Sequence, residues 1–167
     1  MIQILFSRLG YVLLVMFLQI FLFNYVSLWG YATPLLGVMV LFRIPLNAGR
    51  KGTMLFAFII GLILDAFSNT PGLTAGAMTV TAFMQFPLMN SIVPKDAAED
   101  ALPTINLLGK YKYFSYMAIL MAIHHIVYFV FEAFNFFNPI NLLMRFLATY
   151  IVSLLLAWSI EILHTSK

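Results

Sequence analysis

Six apolar runs organise the chain: Ile4 to Phe23, Ala32 to Phe42, Thr53 to Phe67, Gly72 to Val93, Tyr111 to Ala133 and Asn141 to Leu163. Between them lie breaks rich in turn formers and polar residues: Asn24 to Tyr31, Arg43 to Gly52, Ser68 to Pro71, Pro94 to Lys110 and Asn135 to Pro139. A helix that crosses a bilayer takes about 20 mostly apolar residues. The pattern therefore predicts an all-α polytopic membrane protein, a compact bundle of six transmembrane helices forming a single integral membrane domain over residues 1–167. The second and third runs are short, reaching about 17 and 23 Å at the helical rise against a hydrocarbon core of about 30 Å. Flanking residues must extend them, or the bilayer must thin around them. The first run follows Arg8 but has no small-x-small cleavage pattern, and further spans follow it, so it reads as a retained helix rather than a signal peptide.

Composition agrees with the pattern. Hydrophobic residues make up 63% of the 167 positions and charged residues 9%, where a soluble domain carries about 25% charge. In a soluble protein a sequence pI of 9.3 would suggest a nucleic-acid partner. Here the basic residues cluster in the breaks, and their placement reads as topology. Six spans put Arg8, Arg43, Arg50, Lys51, Lys95, Lys110, Lys112 and Lys167 on one side and only Arg145 on the other. That asymmetry predicts both termini in the cytoplasm, with lipid as the surrounding solvent and no nucleic-acid partner. The absence of cysteine excludes disulfide and thiolate chemistry.

The third run contains Asp65, a carboxylate in an oily stretch. An ionised acid at that depth costs about 2.5–3.5 kcal/mol on insertion scales, so it must be shielded. Glu132 and Arg145 fall at a similar depth near the same side, and one guanidinium can hold two carboxylates. An Asp65, Glu132 and Arg145 cluster is therefore expected, structural or partner-facing, with His125 seven residues before Glu132 on the same helix face; the alternative is that each charge reaches the headgroups independently. After the Pro71-Gly72 turn, Gly72 and Gly76 have the small-x-x-x-small spacing that lets helix backbones approach in lipid. Gly61 lies one turn from Asp65 on the same face. Gly61, Ser68, Pro71, Gly72 and Gly76 together predict a close-packed helical hairpin.

His124 and His125 lack a third ligand at helical spacing, and no His-Glu-x-x-His, nucleotide loop or Gly-x-Ser-x-Gly occurs. No catalytic residue, cofactor or metal is predicted, and the chain is read as a non-enzyme. Tyr25, Trp29 and Tyr31, and separately Tyr111, Tyr113 and Tyr116, are expected as interfacial anchors. Lys95, Asp96, Glu99 and Asp100 are expected in a solvated loop.

Gly61-Leu-Ile-Leu-Asp65-Ala-Phe-Ser68, followed by Pro71-Gly72-Leu73, resembles the central span of the rod shape-determining MreD family, and the length and span pattern are similar throughout. Where that family often carries His after Gly-Leu, this chain has Thr74. The resemblance implies a non-catalytic scaffold of the cell-elongation and peptidoglycan-synthesis machinery in a bacterial inner membrane. It further implies binding to the transmembrane and juxtamembrane part of MreC, and through it links to MreB, RodA and a class B penicillin-binding protein. It also implies a fold similar to the substrate-binding subunits of energy-coupling-factor transporters. The rival reading of the residues is a small-solute (vitamin) transporter subunit, with Asp65, Glu132, Arg145 and His125 lining a pocket open to the outer side. Against it stand the short outer loops, which offer little for a lid; an intramembrane hydrolase is the third possibility.

Overall fold

The computed structural model of the protein describes residues 2–26, 32–45, 48–94, 97, 101–134 and 139–165, with side chains for all of these except 2–8, 139, 164 and 165. The helices are α1 (Ile2–Leu18), α2 (Arg50–Ser68), α3 (Leu73–Ile92), the short α4 (Ile105–Leu108), α5 (Lys110–Ala133) and α6 (Pro139–Thr165). A π-helical turn, Gln19–Phe23, continues α1, and a 3-10 helix, Gly37–Arg43, precedes α2. No strand occurs among the described residues. Among the described residues, three helices are long and apolar enough to cross a membrane: α2, α5 and the Ile140–Leu163 part of α6. The Leu9–Phe23 stretch is apolar but shorter.

Most of the predicted apolar runs are single helices, α3 among them, but the second is not. Ala32 to Leu36 is non-helical, and only from Gly37 does the chain coil, as a 3-10 helix rather than an α-helix. This segment is deeply enclosed, with Val38, Met39, Val40, Leu41 and Phe42 all buried. The main core is assembled around it by residues of α1, α2, α3, α5 and α6. Non-helical backbone survives away from water only when its polar groups find partners. Gln19 supplies two: its Oε1 accepts from the Leu36 amide at 2.7 Å and its Nε2 donates to the Pro34 carbonyl at 3.1 Å. From α6, Ser153 Oγ accepts from the Leu35 amide at 2.9 Å and Thr149 Oγ1 from the Thr33 amide at 3.3 Å. Thr149 and Ser153 are four residues apart and so present adjacent hydroxyls on one helix face. At the other end of the segment, Gln85 of α3 donates to the Leu41 carbonyl at 2.9 Å and to the Tyr116 hydroxyl at 2.9 Å. Ser153→Ala leaves the Leu35 amide unpaired and is expected to cost about 1–2 kcal/mol, measured by reversible unfolding in mixed micelles.

Pro87 lies inside α3. It has no N–H, so the Phe83 carbonyl four residues earlier loses its helical donor. Arg50, at the start of α2, fills that role with Nη2 at 3.4 Å from Phe83 O while its guanidinium stacks 3.7 Å from the centre of the Phe83 ring.

Two expectations about aromatic and loop residues change. Tyr111 is exposed, but Tyr113 and Tyr116 are buried core residues rather than interfacial anchors. The Pro94 to Lys110 loop is not wholly solvated, since α4 tucks Ile105 and Leu108 into the core. Trp29, Tyr31, Lys95, Asp96, Glu99 and Asp100 lie outside the described residues.

Candidate functional site: the α2–α3 hairpin and the cavity beside it

The hairpin is built from its turn outward. α2 is closed by Asn69, just past its last residue, whose left-handed backbone (φ 54°) lets the Asn69 and Thr70 amides fold back onto the Asp65 carbonyl. Gly72 also takes a left-handed conformation, φ 84°, where a side chain would be strained, and α3 begins at the next residue. As the N-terminal flanking residue of α3, Gly72 has no side chain to cap the first free amides, and a residue of the previous helix does so instead. Asp65 Oδ1 accepts from the Thr74 amide at 2.9 Å, and Asp65 Oδ2 from the Ala75 amide at 2.9 Å. Those are the second and third residues of α3, the amides that an ordinary capping side chain would satisfy. The Thr70 hydroxyl completes the shell, donating to Asp65 Oδ1 at 2.9 Å. With Asp65 only 3% exposed, three donors and the positive end of the α3 dipole take the place of water around its charge.

Gly61 makes this geometry possible. A Cβ there would come within 2.8 Å of the Ala75 amide nitrogen and 3.0 Å of the Thr74 carbonyl carbon, both rigid backbone atoms. Gly76 does something different from its expected role in the hairpin: a Cβ on it would meet the ring of Phe131 on α5, at 2.6 Å from Cε2. The two glycines therefore predict different penalties. Gly61→Ala forces α2 and α3 apart and is expected to cost about 2 kcal/mol, whereas Gly76→Ala asks only a side chain to shift and costs under about 1 kcal/mol; unfolding of both variants in mixed micelles gives the comparison. Ser68, at the last turn of α2, ties the hairpin to the π-turn by accepting from Asn24 Nδ2 at 2.8 Å.

The charges predicted to cluster are used in two places. Arg145 pairs with Glu132 at 2.9 Å, joining α5 to α6. Asp65 is in neither ion pair found among the described residues, its oxygens being held by the hairpin. His125 also stands apart. Its Nδ1 lies 2.8 Å from the Met121 carbonyl one turn back, an arrangement that makes Nδ1 the protonated nitrogen, and its ring sits edge-on to Tyr150 at 5.7 Å. His124 is the histidine that reaches the hairpin end of the molecule.

There a cavity of about 270 Å³ opens between the π-turn, the Thr33 to Gly37 segment, the α2–α3 turn, α5 and α6. Its wall includes Asn24, Ser68, Thr74, His124, Tyr128 and Arg145, and does not include Asp65, Glu132 or His125. No group of three or more His, Cys, Asp or Glu side chains suited to a metal ion occurs among the described residues.

At the opposite end is a charged arrangement that the sequence reading missed. Glu161 of α6 is buried and accepts from Arg43 Nη2 at 3.1 and 3.3 Å through its two oxygens, and from the Tyr11 hydroxyl at 3.1 Å. The Arg43 guanidinium lies 4.6 Å from the centre of the Tyr11 ring. These contacts fasten α1, the 3-10 helix and α6 to one another. Glu161, Gln19 and Gln85 could have been found by the argument applied to Asp65, since each is a polar side chain within an apolar run. Compared with protein-family models, with curated proteins and with solved structures, the chain gives no match.

Proposed function

We propose that the protein is a non-catalytic scaffold of the bacterial cell-elongation complex, crossing the inner membrane six times with both termini in the cytoplasm. In this reading it binds the membrane-embedded and juxtamembrane part of MreC and through it connects to MreB, RodA and a class B penicillin-binding protein. The observation that carries the reading is the use made of the residues that resemble the MreD family. Gly61, Asp65, Pro71 and Gly72 close a rigid hairpin in which each carboxylate oxygen is already bonded. A motif spent on shape rather than on a reacting group suits a protein that presents a surface.

Six crossings are supported by the unusual second segment. Its 3-10 helix rises about 2 Å per residue against about 1.5 Å for an α-helix, so the run reaches further than an α-helix of the same residues would. The positive-inside pattern is supported by Arg43, Arg50, Lys110 and Lys112, which begin or end their elements away from the hairpin turn, with Arg145 at the hairpin end.

The cavity favours a second reading, a small-solute-binding subunit of a transporter, with a fold similar to that of energy-coupling-factor substrate-binding subunits. Affinity purification of the tagged chain from native membranes separates the two: a bitopic coiled-coil protein in the eluate supports the scaffold, and an ATPase module supports the transporter. Asp65→Ala is expected to lower MreC recovery severalfold while membrane insertion persists. Unchanged recovery with both Asp65→Ala and Gly61→Ala would overturn the role given to the hairpin.

A further inference from the structure

We propose that the cavity at the hairpin end is a binding site for an uncharged polyhydroxyl group the size of one sugar ring. The inference goes beyond the scaffold reading and does not depend on it. Its size, about 270 Å³, falls just below the usual range of ligand pockets, about 300 to 1,000 Å³, and so suits a small ligand. Its charge is balanced within the protein: Arg145 is paired with Glu132 at 2.9 Å. The acid nearest the turn, Asp65, already holds three donors and is absent from the wall. The one charged residue of the lining, Arg145, thus has its counter-charge in place.

What the wall offers is hydrogen bonding of both senses at close quarters. His124 is 1% exposed, lines the cavity and has no partner for its Nδ1. Thr70 commits its proton to Asp65 and presents only lone pairs. Ser68 accepts from Asn24 and keeps its own proton to donate. A ligand that meets donors and acceptors side by side must itself be both, which is the property of a hydroxyl group. Phe67, Tyr128 and Phe129 add aromatic surface for the C–H face of such a ring. The same chemistry could arrive as a free sugar or polyol, or as the sugar headgroup of a lipid.

The test uses the full chain in a detergent without a sugar headgroup, with thermal unfolding followed by tryptophan fluorescence. One arm titrates glucose and myo-inositol; the other compares phosphatidylcholine nanodiscs with and without monoglucosyl diacylglycerol. At saturation the unfolding temperature is expected to rise by about 5 °C in at least one arm. A response to free sugar identifies a soluble ligand, and a response confined to the glycolipid identifies a headgroup; either upholds the site. His124→Phe and Thr74→Val should each weaken the response about tenfold, and if His124→Phe does not fold, Thr74→Val decides. No shift in either arm overturns the proposal, as does an equal shift with inorganic phosphate or ethanolamine. A sugar response unchanged in the folded variants also overturns it.

Discussion

Asp65→Ala is expected to destabilise the folded protein by about 3–4 kcal/mol. The substitution removes three hydrogen bonds to a charged acceptor, each worth about 1.5–3 kcal/mol, and leaves the Thr74 and Ala75 amides buried with no acceptor. Relaxation at the turn and the entropy of a looser first turn offset part of that sum. Asp65→Asn retains one carbonyl oxygen but turns an NH₂ group toward a backbone amide, so it should recover less than half of the loss. Circular dichroism during reversible denaturation in mixed micelles gives both values. The effect should also be non-additive with Gly61→Ala. A Cβ at position 61 presses on the Ala75 amide that Asp65 caps and on the peptide carbon before it, so the double variant should fall short of the summed single effects by about 1 kcal/mol or more.

Glu161→Ala should be at least as damaging, at about 3–5 kcal/mol, because it leaves the Arg43 guanidinium enclosed with its charge uncompensated. The side chain of Arg43 is 11% exposed and its Nε already has no partner, so little water is at hand to take over. Replacing both members, Arg43→Met with Glu161→Met, should restore most of the stability, since removing the pair also removes the penalty of burying it. A double variant as unstable as Glu161→Ala would show that the loss comes from packing around Tyr11 and not from an orphaned charge. The measurement is the same micelle titration, with Tyr11→Phe, which removes the hydroxyl donated to Glu161 and leaves the ion pair in place, as the mild reference.

Much of the fold could be read from the hydrophobic pattern because apolar runs in a membrane protein are long and their breaks carry glycine, proline and charge. The turn at Pro71-Gly72 and the need to shield Asp65 followed directly from that pattern. The partner of Asp65 did not. Its acceptors face the amides of Thr74 and Ala75, 9 and 10 residues along the chain and across a turn. Backbone donors leave no mark in a sequence, whereas Arg145 and Glu132 are visible and were the natural partners to consider. The Ala32 to Phe42 run was opaque for a related reason: its residues are apolar enough for a helix, and what holds it otherwise is a set of distant side chains, Gln19, Thr149 and Ser153. Choosing between His124 and His125 turned on helix rotation, since adjacent positions face different neighbours. Glu161 escaped attention because an acid near the end of an apolar run reads as a headgroup contact, and only the packing of α6 against Tyr11 and Arg43 makes it a buried one.

The central claim is that Asp65 acts through the first turn of α3, and amide hydrogen exchange at Thr74 and Ala75 tests it most directly. In the wild-type protein both amides should exchange slowly, like those of a helix interior, although they belong to a helix N-terminus that offers them no intrahelical acceptor. In Asp65→Ala their exchange should accelerate about 100-fold, the factor that corresponds to nearly 3 kcal/mol of lost protection, while amides in the middle of α5 stay protected. Unchanged exchange at Thr74 and Ala75 in a folded Asp65→Ala protein would contradict the account.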